Sequence, residues 1–159
     1  MHWKVRRDFL SRVEVFEGLG RHDLKAVAKS CSESSFADGE YLCRQGERGV
    51  AAFLVVSGQI VVENDLSDGE TVTLAELGQG AMVGELSIID GAERVASIRA
   101  VGPVDTLVLT QWNMQGLLND RPTIAASMLP IIVRRFRETT TELRQRESES
   151  RHARHSIFQ

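Results

Sequence analysis

Apolar residues return along this chain in different rhythms, and the change of rhythm divides it into three zones. From about Asp8 to Ser32, Phe9, Leu10, Val13 and Phe16, then Leu24, Val27 and Ala28, recur at the three-to-four spacing of helices, with Gly18-Leu19-Gly20 as the break. These positions predict core-facing surfaces and carry no chemistry. From about Ser34 to Leu109 the apolar runs shorten. Ala52-Phe53-Leu54-Val55-Val56, Gln59-Ile60-Val61-Val62, Thr71-Val72-Thr73-Leu74 and Thr106-Leu107-Val108-Leu109 predict short strands. Gly39, Gly46, Gly49, Gly58, Gly69, Gly78, Gly80, Gly91 and Gly102 punctuate them as turns. Asp68-Gly69 between two strands predicts a hairpin, and Leu77-Gly78-Gln79-Gly80 a tight reversal. Many short strands so spaced predict a closed sandwich or jelly roll.

From about Trp112 to Glu147 the helical period returns. Asp120-Arg121-Pro122-Thr123 is a helix start with proline in the first turn. Pro130, inside the periodic stretch, predicts a kink or break. Leu129, Ile132, Val133, Phe136 and Leu143 mark one apolar face, with Thr139 and Thr140 about one turn after Phe136. Residues 147–159 are charged and apolar-poor until Ile157-Phe158, which predicts a flexible tail. The predicted fold is α+β, mainly β. A jelly-roll barrel over about 34–110 is flanked by N-terminal helices and by C-terminal helices over about 112–147, in one domain spanning 8–146.

Composition narrows the classes. A chain of 159 residues that is 42% hydrophobic can fill one core. Its net charge of −3 predicts no large basic surface for nucleic acid or an anionic membrane. The longest apolar run, Val50 to Val62, is interrupted by Ser57-Gly58-Gln59 and is too short to span a bilayer. The first residues are polar and charged, with no signal-peptide-like apolar segment after them. Cys31 and Cys43 are too few for a disulfide framework or a metal quartet, and predict reduced thiols in a cytoplasmic protein.

The chemistry concentrates in Gly84-Glu85-Leu86-Ser87-Ile88-Ile89-Asp90-Gly91-Ala92-Glu93-Arg94-Val95-Ala96-Ser97. Leu86 to Ile89 suffice for one helical turn, whose first N–H groups form an anion site. Arg94 is far enough along to loop back over the same anion, and its guanidinium can hold two phosphate oxygens at once. Glu85 cannot face a phosphate without repulsion, so it should meet a donor such as a ribose hydroxyl.

This stretch resembles the phosphate-binding cassette of the cyclic nucleotide-binding domain family, roughly G-E-L-[AS]-[LI]-[LI], a short gap, then R-x-A-[ST]. Gly84, Glu85, Leu86, Ser87, Ile88, Arg94, Ala96 and Ser97 fit it. Gly39-Glu40-Tyr41-Leu42 with Gln45-Gly46-Glu47, Val56-Ser57-Gly58-Gln59-Ile60 and Leu77-Gly78-Gln79-Gly80 also match the family, so the resemblance covers roughly Asp8 to Leu143. It implies that Glu85 binds the ribose 2′-hydroxyl, that Arg94 binds the cyclic phosphate, and that amides near Gly84–Ser87 complete the site.

Arg134-Arg135-Phe136-Arg137-Glu138-Thr139-Thr140 is similar to the distal helix of catabolite-activator-type members. That similarity implies that Arg135 meets Glu85, and that Thr139 and Thr140 reach the base, the latter across to a second subunit. A desolvated carboxylate beside a ligand needs such a partner. The departure is Val95, where catabolite-activator-type and many cGMP-preferring members carry a hydroxyl. An apolar group there points to cAMP ahead of cGMP.

The resemblance implies a cyclic nucleotide sensor that is not an enzyme and needs no cofactor beyond its ligand. It would close its C-terminal helix over the nucleotide and signal to a protein effector. Only sixteen residues follow Leu143, so direct DNA binding is not expected, nor is a membrane partner. The apolar face of the last helix could pair two copies, although its heptad pattern is short. Two rivals stand beside this reading. A cupin-like metalloenzyme needs histidines inside the barrel, whereas His2, His22, His152 and His155 lie outside the strand zone. A degenerate domain could serve as a protein-interaction scaffold without nucleotide.

Overall fold

The computed structural model describes residues 1–157. Helix α1 (Trp3–Leu10), a 3-10 turn at Glu14–Phe16 and helix α2 (Arg21–Ser30) come first. Six strands follow: β1 (Ser32–Phe36), β2 (Tyr41–Cys43), β3 (Ala51–Asp65), β4 (Thr71–Leu77), β5 (Met82–Val83) and β6 (Ser97–Thr110). A one-turn helix, α3 (Ser87–Asp90), sits between β5 and β6, and helices α4 (Gln111–Asp120) and α5 (Pro122–Ile157) complete the described chain.

The strands form one antiparallel sheet in the order β1-β6-β3-β4, with β2 on β6 and β5 on β3. The jelly-roll reading holds, but the closed form of it is corrected: β1 and β4 are unpaired ends of the sheet. β1 is only five residues long, and most of β4 faces water, so neither edge brings an apolar face to close upon.

β3 and β6 form the spine, and their faces feed two cores. Ala52 and Leu54 of β3, with Leu107 and Leu109 of β6, pack against Leu10, Phe16, Val27, Met114 and Ile124 of the helices. Phe53 and Val55, with Ile98, Ala100 and Val104, point the other way into the barrel beside Leu42 and Ile60. Because successive strand residues face opposite sides, burial on both sides makes Ala52 to Val55 continuously apolar rather than alternating.

Two of the glycines expected at turns are not turns. Gly58 lies within β3 and Gly102 within β6, where the β3–β6 register shifts between Ser57 and Gln59. Both have positive φ, 96° and 72°. At Gly58 a Cβ would collide with the Pro103 carbonyl, so a bulge bends each strand while it keeps its direction. The Asp68-Gly69 hairpin forms as predicted. Leu66 N–H donates to Glu70 O at 2.8 Å, and Gly69 takes φ 85°, the αL position of a three-residue connection.

The helices differ from the expectation in four ways. α1 starts at Trp3, where the His2 imidazole accepts the Lys4 N–H at 3.3 Å, and it stops at Leu10. Val13 is extended, and Val15 and Phe16 reach the core from the 3-10 turn instead of a longer helix. α5 runs through Pro130 without a break. It also continues through 147–157, where a flexible tail was expected. That stretch contains no glycine or proline to break the helix, and Glu147 and Arg151 are spaced one turn apart. The part of the tail at residues 158 and 159 lies outside the described residues. Buried Asp23 clamps α2 to the start of α5, accepting from Arg121 Nη1 at 3.2 Å and Thr123 Oγ1 at 2.5 Å.

Candidate functional site

The cassette is built as a detour between β5 and β6. Val83 pairs with Phe53 of β3, and Gly84 then turns the chain at φ 80°. α3 follows, pinned to the core by fully buried Ile88. Gly91 ends it at φ 69°, its N–H donating to Ser87 O at 2.8 Å. The chain returns along the turn before β3: Gly49 N–H donates to Ala92 O at 3.1 Å, Arg94 N–H to Glu47 O at 2.7 Å and Gly46 N–H to Arg94 O at 2.8 Å. Gly49 lies so close to α3 that a Cβ there would stand 2.5 Å from that of Ser87. Gly49 is therefore part of the cassette's support, which its reading as a turn marker missed.

This folding places a cavity of about 300 Å³ between cassette and barrel. Gly84, Glu85, Leu86, Ser87, Arg94, Val95 and Ala96 line it, together with the strand residues Val62, Met82, Val83 and Ile98. The four strand residues were not among the predicted site residues. Their only sequence signal is membership of apolar strands, which they share with the whole core. At the start of α3 the N–H groups of Ile88, Ile89 and Asp90 donate to the Gly84 and Leu86 carbonyls, which leaves those of Leu86 and Ser87 without a backbone acceptor.

Arg94 is the unusual member. It is only 7% exposed, and among the described residues no carboxylate pairs with it. One guanidinium nitrogen donates to the Ala51 carbonyl, another lies against Gly84, and Nε has no partner. A Cβ on Gly84 would collide with the guanidinium, so glycine here serves both the positive φ and the close approach. The cation is felt nearby: burial pushes the Cys43 thiol up, and Arg94 partly offsets that rise. Other buried acids nearby are already paired, as Glu63 is with Arg99 at 2.6 Å, which holds the Arg99 guanidinium above its ordinary value. A buried cation without a counter-charge is costly.

Glu85 lines the same cavity as Arg94. Its Oε1 accepts from Arg135 Nη1 of α5 at 2.9 Å, tying the cassette to the last helix. Both residues also line a smaller cavity of about 170 Å³, with Gly80, Met82 and the 3-10 turn region. Neighbouring Arg134 reaches Glu14 at 3.6 Å and Glu17 at 3.9 Å on that turn. Thr139 and Thr140 are not brought to either cavity. Their hydroxyls donate to Arg135 O and Phe136 O, one turn back, at 2.9 Å each. Val95 is 85% exposed at the cavity rim.

The fold is thus a jelly roll whose cassette cavity holds a buried arginine, with a distal helix tied to the cassette through Glu85 and Arg135. Residues 33–121 match the family model of the cyclic nucleotide-binding domain, and the chain belongs to that family. It is 27% identical over 136 residues to a CRP-like cAMP-activated global transcriptional regulator of Mycobacterium tuberculosis, covering 86% of this chain and 61% of the relative. It is 31% identical over 129 residues to the cyclic AMP receptor protein of Thermus thermophilus, covering 81% and 60%. The chain thus spans about three fifths of the length of these curated relatives. Among solved structures it resembles the N-terminal domain of a transcriptional regulator from Streptomyces coelicolor. That match has 32% identity and a TM-score of 0.76, and covers 83% of this chain and 94% of that one.

Proposed function

We propose that this domain is a cyclic nucleotide sensor, preferring cAMP to cGMP, that does no chemistry and reports occupancy through α5. The observation that carries this reading is Arg94: buried, without a carboxylate partner among the described residues, and lining the same cavity as Leu86 and Ser87 at the start of α3. The cyclic phosphate supplies the missing charge, held by the Arg94 guanidinium and the amides near Leu86 and Ser87. Glu85 accepts a hydrogen bond from the ribose 2′-hydroxyl while Arg135 keeps its carboxylate paired. Val62, Met82, Val83 and Ile98 form the apolar wall. Val95 offers no hydroxyl to a guanine, which favours adenine.

Thr139 lies one turn beyond Arg135 on the same face of α5. A small rotation of that helix about the Glu85–Arg135 contact carries Thr139 toward the base, and Thr140 toward a second copy. The ligand favours the closed arrangement only by the contacts it gains there. Leu129, Phe136 and Leu143 are exposed and seven residues apart, the spacing of a helix-pairing seam, so α5 joins two copies or docks on a protein effector. The exposed, apolar Val95 favours the rival reading of a scaffold that binds no nucleotide.

Thermal melting in graded cAMP and cGMP tests the proposal. A ligand that binds only the folded state raises the melting temperature with its concentration, by about 2.7 kcal/mol of stability at a hundred times Kd. A larger rise with cAMP than with cGMP is expected. An unchanged midpoint in both would favour the scaffold.

A further inference from the structure

The net charge of −3 conceals a strong segregation. Between Arg48 and Arg94 the chain has acids and no lysine or arginine, whereas α1 and α2 are rich in cations. The chain has three lysines in all, Lys4, Lys25 and Lys29, and all three converge on one indole. Their ammonium groups lie 5.9, 4.6 and 5.8 Å from the Trp3 ring centre, and the Arg7 guanidinium lies 5.7 Å from it. Arg7 pairs with Asp8 at 3.2 Å, and nearby Glu33 is taken by the Met1 amino group and Arg6. The lysines make no ion pair among the described residues. None of these residues lines the nucleotide cavity.

Like charges one turn apart on a helix, as at Lys25 and Lys29, disfavour it slightly. The indole face offsets part of the repulsion through cation–π attraction, and an external anion offsets the rest. The choice of lysine is informative in a chain whose other cations are all arginines. Arginine forks suit single carboxylates and phosphates, whereas lysines are mobile point charges suited to a diffuse negative surface. An amphipathic indole among lysines matches the boundary between lipid headgroups and acyl chains.

We infer that the α1–α2 face, centred on Trp3, Lys4, Lys25 and Lys29, docks the domain on an anionic phospholipid surface. The acidic stretch between Arg48 and Arg94 orients the molecule, because it is repelled by the surface that attracts α1 and α2. The docked domain would leave the nucleotide cavity open, so membrane binding does not depend on nucleotide.

The test is co-sedimentation of the full chain with vesicles of phosphatidylcholine alone and with a third phosphatidylserine, beside a Lys25→Gln/Lys29→Gln variant of matched melting temperature. Binding to the mixed vesicles only is expected, weakening with salt and falling roughly thirtyfold in the variant, at about fivefold per charge. In a Trp112→Phe background, which leaves Trp3 as the sole indole, its emission should shift to the blue on vesicles. No binding to the mixed vesicles by folded protein would overturn the inference. So would unchanged binding by the variant, or retention by duplex DNA or an acidic polypeptide with vesicles ignored.

Discussion

Arg94 and Gly84 work as one unit, because the guanidinium occupies the space a Cβ at 84 would need. Gly84→Ala therefore adds both a strained φ and a collision. It should destabilise the fold by about 1–3 kcal/mol and abolish nucleotide binding, which denaturant melts and titration measure together. Cys31 makes a different prediction. Burial pushes its thiol from 9.0 up to about 11, so the folded chain keeps a proton that the unfolded chain releases. This contribution is intact below pH 9 and is lost as pH rises toward 11. Stability should fall over that window, and less steeply in Cys31→Ala. The cassette residues were legible in the sequence because glycine, acid and arginine at fixed spacing have few other uses. The Ala51 carbonyl that holds Arg94 and the packing of Gly49 on Ser87 were not, since neither depends on a distinctive side chain.

Secondary elements repeat the contrast. The Asp68-Gly69 hairpin could be read because its turn chemistry is local. Gly58 and Gly102 look like turns by the same local logic, but strand pairing across β3 and β6 overrides it and makes them bulges. The length of α5 was underestimated because low apolar content resembles disorder, while the absence of glycine and proline and the one-turn spacing of Glu147 and Arg151 allow the helix to continue. Pro130 is the misfit inside it, lacking an N–H for the ladder. Pro130→Ala should raise stability by about 1–3 kcal/mol with little change in helical circular dichroism, provided that no partner contact requires the proline. A fall in melting temperature would show that Pro130 packs productively in the groove with Val133 and Arg137.

At the scale of the whole molecule, three parts meet at Glu85 and its neighbours. The barrel supplies an apolar wall, the cassette a buried cation, and α5 an arginine latched to the cassette carboxylate. The N-terminal 3-10 turn region joins the same latch through Arg134, so α5 contacts both the cassette and the N-terminal segment. The antiparallel jelly roll and its flanking helices were foreseen from apolar rhythm, whereas its open edges and the convergence of the lysines on Trp3 emerged only in three dimensions. The central claim is that Arg94 awaits a cyclic phosphate. Calorimetric titration of the purified, ligand-free protein with cAMP and with cGMP, beside Arg94→Ala, tests it most directly. The account predicts saturable binding, tighter for cAMP, and a loss on the order of thirtyfold to several thousandfold in the variant, from about 2–5 kcal/mol. A folded protein that binds neither nucleotide, or a variant that binds as well as the parent, would contradict it.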